Sequence, residues 1–377
     1  MSEGRWFFFA GGGTGGHIYP AIAVAEQIIE RDKSAKIHFF CSERPIDAQI
    51  LSKTSFSYTA LPAVGLSARQ AIAFCLGFLK SYLKAKKIIR EKGGGVITGV
   101  GGFVAAPVCW AGHRLKQPVA LINVDIHAGK ANKLIGRLAD EIFVQFADTV
   151  ADFARCKGKV QALGCPMRKS FLQPDREKAI AELGLDKNKK ILLITGASSG
   201  SASINRAICL LLGKPFDSAQ DRLGKFADRW QIVHLTGTSN FEQAKVGYKD
   251  AKINHKVIAY YDDMANLLSA ADLVVGRSGA GGVAEYAAAG VPSICLPYPY
   301  HSDRHQYLNA GKLVEAGAAV VVDDVADDNQ RAEKLWTELH KLMGDDSLRQ
   351  QMARNCDKVA KKDAAAKIAE RLLAVGQ

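Results

Sequence analysis

Residues 6–20, WFFFAGGGTGGHIYP, decide the fold of this chain. The stretch opens with an apolar run, which is typical of a strand buried on both faces in a parallel sheet. The glycine-rich loop 11–16 follows directly, and we expect the next helix to begin at Pro20, because proline is tolerated at a first helical position. Loop amides and the positive end of such a helix attract an anion. The stretch therefore predicts the first strand, anion-binding loop and helix of a Rossmann-like domain.

The same unit recurs in the second half, where the apolar strand 191–195 runs into the small-residue loop 196–200. Elsewhere, short apolar runs alternate with helical patterns, which indicates parallel α/β sheets. The other strand candidates are 36–41, 96–98, 119–123, 142–145, 231–235, 257–260, 273–275, 293–296 and 319–322. The sequence thus predicts an α/β fold with two doubly wound parallel sheets.

The chain length of 377 residues exceeds what a single hydrophobic core usually supports. Gly and Pro at 164–166 supply a hinge, so we expect domains at 1–163 and 164–356. The charged, helical segment of about 357–377 can pack back on the first domain. Residues 213–229 carry no periodic apolar face, and we interpret them as a surface excursion.

The charge balance indicates an anionic partner: the formal net charge is +12, which suits nucleotide phosphates, nucleic acid or an acidic membrane surface. Nucleic acid is the weakest of these, because we see no clustered platform of Arg and aromatic residues. The eight cysteines form no C-x-x-C pair and predict a reducing compartment. The N-terminus lacks a signal-peptide pattern, and no apolar stretch reaches the length of a membrane span. We expect a cytoplasmic protein that can still touch a membrane.

Residues 71–92 carry the case for an anionic membrane surface. Two apolar stripes at helical spacing comprise Ile72, Leu76, Leu79 and Leu83 in one and Phe74, Phe78 and Tyr82 in the other. We expect one stripe to pack on the sheet and the other to meet lipid, while basic side chains face anionic headgroups. Those basic residues are Lys80, Lys84, Lys86, Lys87, Arg90 and Lys92. The alternative is a wide core-facing helix with a solvated basic face.

His17 stands at the mouth of the first glycine loop and can accept a proton near neutral pH, which makes it our candidate catalytic base. The alternative is a capping or solvated histidine. The loop also satisfies G-x-G-x-x-G, and Glu43 lies where a ribose-binding acid is expected. A nicotinamide-dependent oxidoreductase is therefore an alternative function of another class, although it leaves the motifs of the second half unused.

Those motifs follow two predicted strands of the second half. Residues 277–282, RSGAGG, lead into a helix that bears Glu285, so that a helix N-terminus faces phosphate while the carboxylate accepts hydrogen bonds from a ribose diol. The alternative is a surface carboxylate favoured by the helix dipole. Residues 297–306, PYPYHSDRHQ, are polar and aromatic and lie where ligand loops of α/β sheets lie.

We predict no metal site. His301, Asp303 and His305 match no recognised set of metal ligands, and the chain contains no D-x-D pair to hold a cation on a nucleotide diphosphate. Leaving-group charge is then expected to be stabilised by helix dipoles, backbone amides and Arg or Ser side chains.

Together these motifs resemble the MurG family, which adds N-acetylglucosamine to lipid I in peptidoglycan synthesis. The resemblance covers nearly the whole chain and is carried by residues 12–21, 99–107, 164–168, 198–205, 261–264, 277–285 and 306–309. The donor-binding residues that it implies are Thr14, Gly15, Gly16, Arg168, Ser198, Tyr261, Ala280, Gly281, Gly282, Val283, Ala284, Glu285 and Gln306. Within that set, Ser198 would hold the donor diphosphate, Tyr261 would meet the uracil through its backbone, and Gln306 would bind the sugar.

The resemblance implies a GT-B fold, in which two Rossmann-like domains face a cleft. It also implies an inverting, metal-independent transfer from UDP-GlcNAc to lipid I, an undecaprenyl-linked acceptor, without a cofactor. Such an enzyme would lie peripherally at the cytoplasmic side of a bacterial cell membrane.

This chain departs from the family pattern at two places. The family usually carries H-E-Q-N after the strand ending near Leu121, whereas residues 122–125 read INVD here. Asp125 could supply a carboxylate in place of the missing one, as a catalytic partner of His17. Gly281 and Gly282 stand where bulkier residues are usual. Because the first change alters the acceptor side, another lipid acceptor such as diacylglycerol stays an alternative.

Overall fold

The computed structural model describes residues 4–65, 71–197, 200–213 and 221–375. The chain divides into two units, one formed by Met1–Arg168 with Lys361–Gln377 and the other by Lys169–Ala360. The sequence prediction placed these divisions at 163/164 and 356/357, a few residues earlier.

In the described part of the first unit, seven parallel strands form one sheet in the order β3-β2-β1-β4-β5-β6-β7. The strands are β1 (Trp6–Gly11), β2 (Lys36–Ser42), β3 (Ser57–Leu61), β4 (Val96–Gly101), β5 (Val119–Asn123), β6 (Glu141–Val144) and β7 (Lys159–Ala162). Strand β1 is paired with β2 on one side and β4 on the other, so the winding direction reverses beside it. Ligands of doubly wound sheets bind at the carboxyl ends of the strands at such a reversal.

Strands β3 and β7 were not predicted from the sequence. Both are edge strands whose residues are mostly exposed or half-buried. An edge strand with a solvated face needs no continuous apolar run, so its sequence does not stand out.

The aromatic run of β1 packs on both faces of the sheet, because successive side chains of a strand alternate. Phe8 stacks on Phe40 of β2 with ring centroids 6.0 Å apart, and Phe9 stacks on Phe39 at 5.4 Å. The helices of this unit are α1 (Gly15–Arg31), α2 (Pro45–Leu51), α3 (Ala71–Glu91), α4 (Ala105–Arg114), α5 (Lys130–Gly136) and α14 (Ala364–Ala374). A 3-10 segment follows β6 at Ala147–Phe153.

Helix α1 begins five residues earlier than predicted, at Gly15, so Pro20 lies inside the helix and not at its first position. The helix starts there because Thr14 ends the extended segment with φ −154° and ψ 156°, and the His17 N–H then donates to the Thr14 carbonyl at 3.2 Å. Pro20 lacks the N–H that would bond to the carbonyl of Gly16 one turn earlier. The positive end of the helix therefore coincides with the glycine loop itself.

Helix α14 belongs to the first unit and packs against α1. Arg371 of this helix forms an ion pair with Glu141 at the start of β6. Arg5 donates a hydrogen bond to the Leu373 carbonyl at 3.2 Å. These contacts tie the end of the chain to the sheet formed by its beginning.

Among the described residues of the second unit, six parallel strands form a sheet in the order β10-β9-β8-β11-β12-β13. They are β8 (Lys190–Thr195), β9 (Trp230–Leu235), β10 (Asn254–Ile258), β11 (Leu273–Gly276), β12 (Ser293–Cys295) and β13 (Ala319–Val321). The order around β8 repeats the order around β1, which confirms the predicted fold class of two doubly wound parallel sheets. Strand β10 starts three residues before the predicted 257–260, because it is an edge strand whose first residues are exposed.

The helices of the second unit are α6 (Arg176–Leu183), α7 (Ala202–Leu211), α8 (Phe241–Gly247), α9 (Met264–Ala270), α10 (Ala280–Ala289), α11 (His305–Ala316), α12 (Asp328–Gly344) and α13 (Asp346–Cys356). The prediction of a surface excursion at 213–229 was wrong for residues 221–229. Leu223 and Phe226 of a 3-10 turn are buried in the core of this unit. Two apolar residues are too few to show a period, and 214–220 lie outside the described residues. Across the described ranges of both units, no helix is long and apolar enough to cross a membrane.

Candidate functional site

The first glycine loop joins β1 to α1 at the point where the first sheet reverses. Thr14, Gly15 and Gly16 stand at the N-terminus of α1, and Thr14 and Gly16 are exposed. The free amides of a first helical turn and the helix dipole favour a negative charge at this place. The three residues predicted to bind the donor thus share one exposed helix end.

Part of the loop is already held by a carboxylate of the protein, which the sequence did not reveal. Asp47 of α2 is fully buried and accepts the Gly13 N–H with both oxygens at 2.9 Å. It also accepts the N–H and the hydroxyl of Ser42 at 2.9 and 2.5 Å. The guanidinium of Arg44 donates to the Gly13 carbonyl at 3.0 Å. Gly13, at φ 89°, is therefore fixed at both of its backbone groups and is not among the amides that a ligand can reach.

His17, the predicted base, is half-buried in the first turn of α1. Its Nδ1 lies 3.2 Å from the Gly12 carbonyl oxygen. A carbonyl only accepts, so the neutral imidazole carries its proton on Nδ1 and the lone pair on Nε2. Gly101, at the end of β4, lies against the His17 ring: a Cβ added to this glycine would lie 3.0 Å from Nε2. The glycine at this position leaves room for the imidazole.

The loop after β5 contains the segment that departs from the family pattern. The side-chain amide of Asn123 donates to the Asp125 backbone carbonyl at 2.6 Å, and its Oδ1 accepts from the Asn132 side chain at 2.8 Å. Val124 is buried, whereas Asp125 is half-buried. Strand β5 is the neighbour of β4. Asp125 therefore follows the strand next to the one whose end touches His17.

Arg168, predicted to contact the donor, is the last residue of the first unit. Its guanidinium lies 4.4 Å from the centroid of the Tyr19 ring in α1. This cation–π contact holds Arg168 against the helix that carries His17.

In the second unit, the loops after β8, β11 and β12 meet around Arg277. Its guanidinium donates to the hydroxyls of Ser201 and Ser203 at 2.7 and 2.9 Å and to the Leu296 carbonyl at 2.8 Å. It also pairs with Asp324 at 2.7 Å. Arg277 therefore joins these three loops to Asp324, which follows β13.

Asp324 is the buried centre of this network. Besides Arg277 it accepts from Ser203 at 2.7 Å and pairs with the buried Arg331. Arg331 also pairs with Asp328. The charge of Arg277 is therefore paired inside the protein, and its side chain holds the surrounding loops together.

Helix α10 begins after Gly279, which is extended at φ −61° and ψ 156°. Ala280 and Val283 are buried, so only their backbones can meet a ligand, whereas Ala284 and Glu285 are half-buried. An added Cβ at Gly281 would meet no atom of the protein within 4 Å. Glycine costs about 1 kcal/mol relative to alanine inside a helix, so packing does not explain this residue.

Gln306 connects two of the predicted donor loops. Its side-chain oxygen accepts the Tyr298 N–H at 2.9 Å, and its carbonyl accepts the buried Ser278 hydroxyl at 2.9 Å. Asn309 contacts the Ser278 carbonyl at 3.4 Å. The structure thus brings Gln306 to the loop that leads into α10.

Two predicted donor residues lie on other loops. Tyr261 follows β10, and its hydroxyl donates to Glu182 at 2.5 Å. Burial and the neighbouring Glu182 raise the pKa of this phenol. Ser198 lies outside the described residues.

The structure also brings together His301, Asp303 and His305, for which the sequence predicted no metal. One ligand atom of each lies within 4.8 Å of the others.

Comparison with known proteins identifies the family of this chain. Residues 7–144 match the glycosyltransferase family 28 N-terminal domain, and residues 191–372 match the glycosyltransferase family 28 C-terminal domain. A UDP-N-acetylglucosamine--N-acetylmuramyl-(pentapeptide) pyrophosphoryl-undecaprenol N-acetylglucosamine transferase of Halothermothrix orenii is 32% identical over 363 residues, which cover 94% of each chain. A protein of the same name from Geobacter sulfurreducens is 31% identical over 368 residues, covering 97% of each chain.

The crystal structure of Acinetobacter baumannii MurG has the same fold, with a TM-score of 0.75 and 23% identity over 99% of this chain and 100% of that one. The matched domains are those of glycosyltransferases, which excludes the alternative of a nicotinamide-dependent oxidoreductase. The chain belongs to glycosyltransferase family 28 and, within it, to the MurG family.

Proposed function

We propose that this enzyme transfers N-acetylglucosamine from UDP-GlcNAc to lipid I, undecaprenyl-pyrophosphoryl-MurNAc-pentapeptide, and so makes lipid II for peptidoglycan. The observation that carries the proposal is the similarity over 94% of the chain to a transferase named for this reaction. The loops that would bind the substrates lie at the carboxyl ends of parallel strands, where such sheets bind ligands.

The second unit supplies most of the donor site. Free amides at the N-terminus of α10 face the diphosphate and stabilise the charge that develops on departing UDP. Glu285 accepts hydrogen bonds from the ribose, Gln306 contacts the sugar, and the backbone of Tyr261 meets the uracil. Ser198 helps to hold the diphosphate. Gly281 leaves its side of α10 open, since an added Cβ there would meet no atom of the protein within 4 Å.

His17 acts as the general base. The acceptor hydroxyl attacks the anomeric carbon, its proton moves to Nε2 of His17, and the bond to UDP breaks with inversion. The hydrogen bond from Nδ1 to Gly12 supports this role because it leaves the lone pair on Nε2. Asp125, one strand away, is the carboxylate that orients the acceptor or His17.

The reaction is tested by UDP release from UDP-GlcNAc with EDTA present, using a lipid I analogue or diacylglycerol as acceptor. We expect release with the lipid I analogue alone; release only with diacylglycerol would move the enzyme to lipid glycosylation. His17→Ala is expected to lower kcat roughly 10²–10⁴-fold. His113→Ala, an exposed histidine of α4, is the matched control. If His17→Ala retains turnover within a few-fold of the parent, another group is the base.

We also propose that α3 holds the enzyme at the cytoplasmic face of the membrane. The helix turns a mostly small face to the protein, since its buried residues are Gly77, Ser81, Ala85 and Ile89. An added Cβ at Gly77 would lie 2.5 Å from the Pro62 carbonyl oxygen, which shows how closely α3 lies on the chain before it.

This packing leaves the aliphatic stripe for the lipid. Ile72 is 78% exposed, and the other exposed members of the stripe are Leu76, Leu79 and Leu83. The aromatic stripe is half-buried. Of the basic residues, Lys84 donates to the Ala60 carbonyl at 3.0 Å, and Lys87 lies 3.8 Å from Glu91. Both stay exposed, and each contributes about 1 kcal/mol near an anionic surface.

Liposome flotation tests this contact. Lys80/Lys84/Lys87→Glu should abolish flotation with anionic vesicles, and Leu76/Leu79/Leu83→Ser should weaken it at any lipid charge. Val246→Ser, at a residue 68% exposed in the second unit, is the control. Flotation of both α3 variants like that of the control would refute the contact.

A further inference from the structure

A cluster of histidines in the second unit has no part in the proposed transfer. His301 and Asp303 lie in the loop between β12 and α11, His305 is the first residue of α11, and one ligand atom of each lies within 4.8 Å of the other two. Within the described ranges, this is the one such group of three or more His, Cys, Asp or Glu side chains. All three are exposed or half-buried, so an ion in solution can reach them.

The backbone sets the two histidines side by side. Arg304 adopts the left-handed conformation, at φ 49°, and its N–H donates to the His301 carbonyl at 3.0 Å. This turn folds His301 back over the first residue of α11, His305, and the two imidazole rings stack with centroids 4.4 Å apart. Ligands that the backbone already holds in place lose little entropy when they bind.

The hydrogen bonds indicate which nitrogens face each other. Nδ1 of His305 lies 2.7 Å from Oδ1 of Asp303, so a neutral His305 donates from Nδ1 and carries its lone pair on Nε2. That Nε2 lies 3.1 Å from Nδ1 of His301. Two Zn–N bonds of about 2.0–2.1 Å at a tetrahedral angle place their nitrogens about 3.3 Å apart. The two imidazoles thus present nearly the separation that one tetrahedral ion requires.

We propose that His301 Nδ1 and His305 Nε2 bind one divalent transition-metal ion of the Zn²⁺ class. Asp303 orients His305 through its other ring nitrogen, as carboxylates do beside metal-bound histidines, and water completes the coordination. Imidazole ligands select zinc, cobalt, nickel or copper over magnesium and calcium, which prefer oxygen. The spacing of these residues in the sequence does not reveal the turn at Arg304. The ion fixes the loop immediately before Gln306 and takes no part in the chemistry.

The test is calorimetric titration of the full chain, stripped of metal, with Zn²⁺, together with the visible spectrum after addition of Co²⁺. We expect one ion per chain and the absorption of a low-coordinate Co²⁺–imidazole site. Asp303→Asn should weaken Zn²⁺ binding roughly 10–100-fold, and His301→Ala or His305→Ala at least as much. His113→Ala, an exposed histidine of the first unit, should change nothing.

The proposal is overturned if Zn²⁺ binds both histidine variants as tightly as the parent, or if Mg²⁺ binds as tightly as Zn²⁺. Circular dichroism and thermal melting without metal show whether each variant is folded. Should an alanine variant melt early, Asp303→Asn, which keeps the shape of the side chain, decides alone. No donor or acceptor is present in these measurements, so their outcome is independent of the proposed transfer reaction.

Discussion

Asp47→Ala is expected to destabilise the first unit by about 3–5 kcal/mol. The Asp47 side chain is fully buried and accepts hydrogen bonds from three donors, namely the N–H of Gly13 and both the N–H and the hydroxyl of Ser42. Alanine removes the shared acceptor of all three donors.

The magnitude follows from the donors left behind. Each unsatisfied buried donor costs about 1–3 kcal/mol. The amides of Gly13 and Ser42 are fixed by the backbone, whereas the Ser42 hydroxyl can rotate and adds least. Asp47→Asn keeps one oxygen acceptor but loses the charge and turns an NH₂ group toward a donor, so we expect a loss of about 1–2 kcal/mol.

Scanning calorimetry of the full chain measures both variants. In a domain of 150–250 residues, 1 kcal/mol shifts Tm by about 2–4 °C, so Asp47→Ala should lower the transition of the first unit by roughly 6–20 °C. Glu43→Ala, an exposed acid near Asp47, is the control and should stay within about 0.5 kcal/mol of the parent. A shift for Asp47→Ala no larger than that of Glu43→Ala would refute the reasoning.

Asp47→Asn also tests whether the glycine loop orients His17. Gly12, the neighbour of the clamped Gly13, accepts the hydrogen bond from His17 Nδ1. A misplaced reacting group costs up to about 10²-fold in rate, so Asp47→Asn should lower kcat by about tenfold or more and change the KM for UDP-GlcNAc less. Unchanged kcat per folded molecule would show that the clamp serves stability alone.

Three further outcomes are expected. Burial lowers the pKa of His234 to about 3, so between pH 3 and about 6.5 only the unfolded chain takes up a proton at this residue. The free energy of unfolding therefore falls as the pH falls, by at most about 1.4 kcal/mol per pH unit. In urea titrations, His234→Gln should make this pH dependence flatter. Asp324→Ala leaves the buried charges of Arg277 and Arg331 without their shared partner and should cost about 3–5 kcal/mol in calorimetry of the second unit. Gly281→Ala should stabilise α10 by about 0.5–1 kcal/mol, and a simultaneous rise in the donor KM would show that the ligand approaches this residue closely.

The sequence predicted the central strands of both sheets and failed at the edges for one physical reason. A strand buried on both faces, such as β1, must be apolar throughout and is visible as a run. The edge strands β3 and β7 were missed and β10 was displaced, because an exposed face imposes no such pattern. The helix start at Gly15 was missed for a different reason, since the extended backbone of Thr14 outweighed the preference of Pro20 for a first helical position.

In the candidate site, too, the sequence predicts some features and misses others. The loops were predictable, because glycine-rich segments follow apolar strands directly in the sequence. The groups that hold the loops were not, because they come from distant parts of the chain. Asp47 is 34 residues from Gly13, and Tyr261 is 79 residues from Glu182. The turn at Arg304, which sets the proposed metal ligands side by side, depends on a left-handed backbone that is uncommon for a residue other than glycine.

Both units anchor a ligand loop on a buried carboxylate, Asp47 in the first and Asp324 in the second. A loop of bare glycines allows close approach of a substrate but loses much conformational entropy when it is ordered. A buried carboxylate offsets this loss by accepting hydrogen bonds from donors that the fold holds in place. In the first unit it takes the Gly13 amide and leaves the end of α1 to the ligand. In the second it pairs with Arg277, so that in the proposed reaction the amides of α10 supply the positive field. The proposed anion binding in both units then rests on backbone dipoles that are already in place, which is the arrangement expected to stabilise a departing diphosphate without reorganisation.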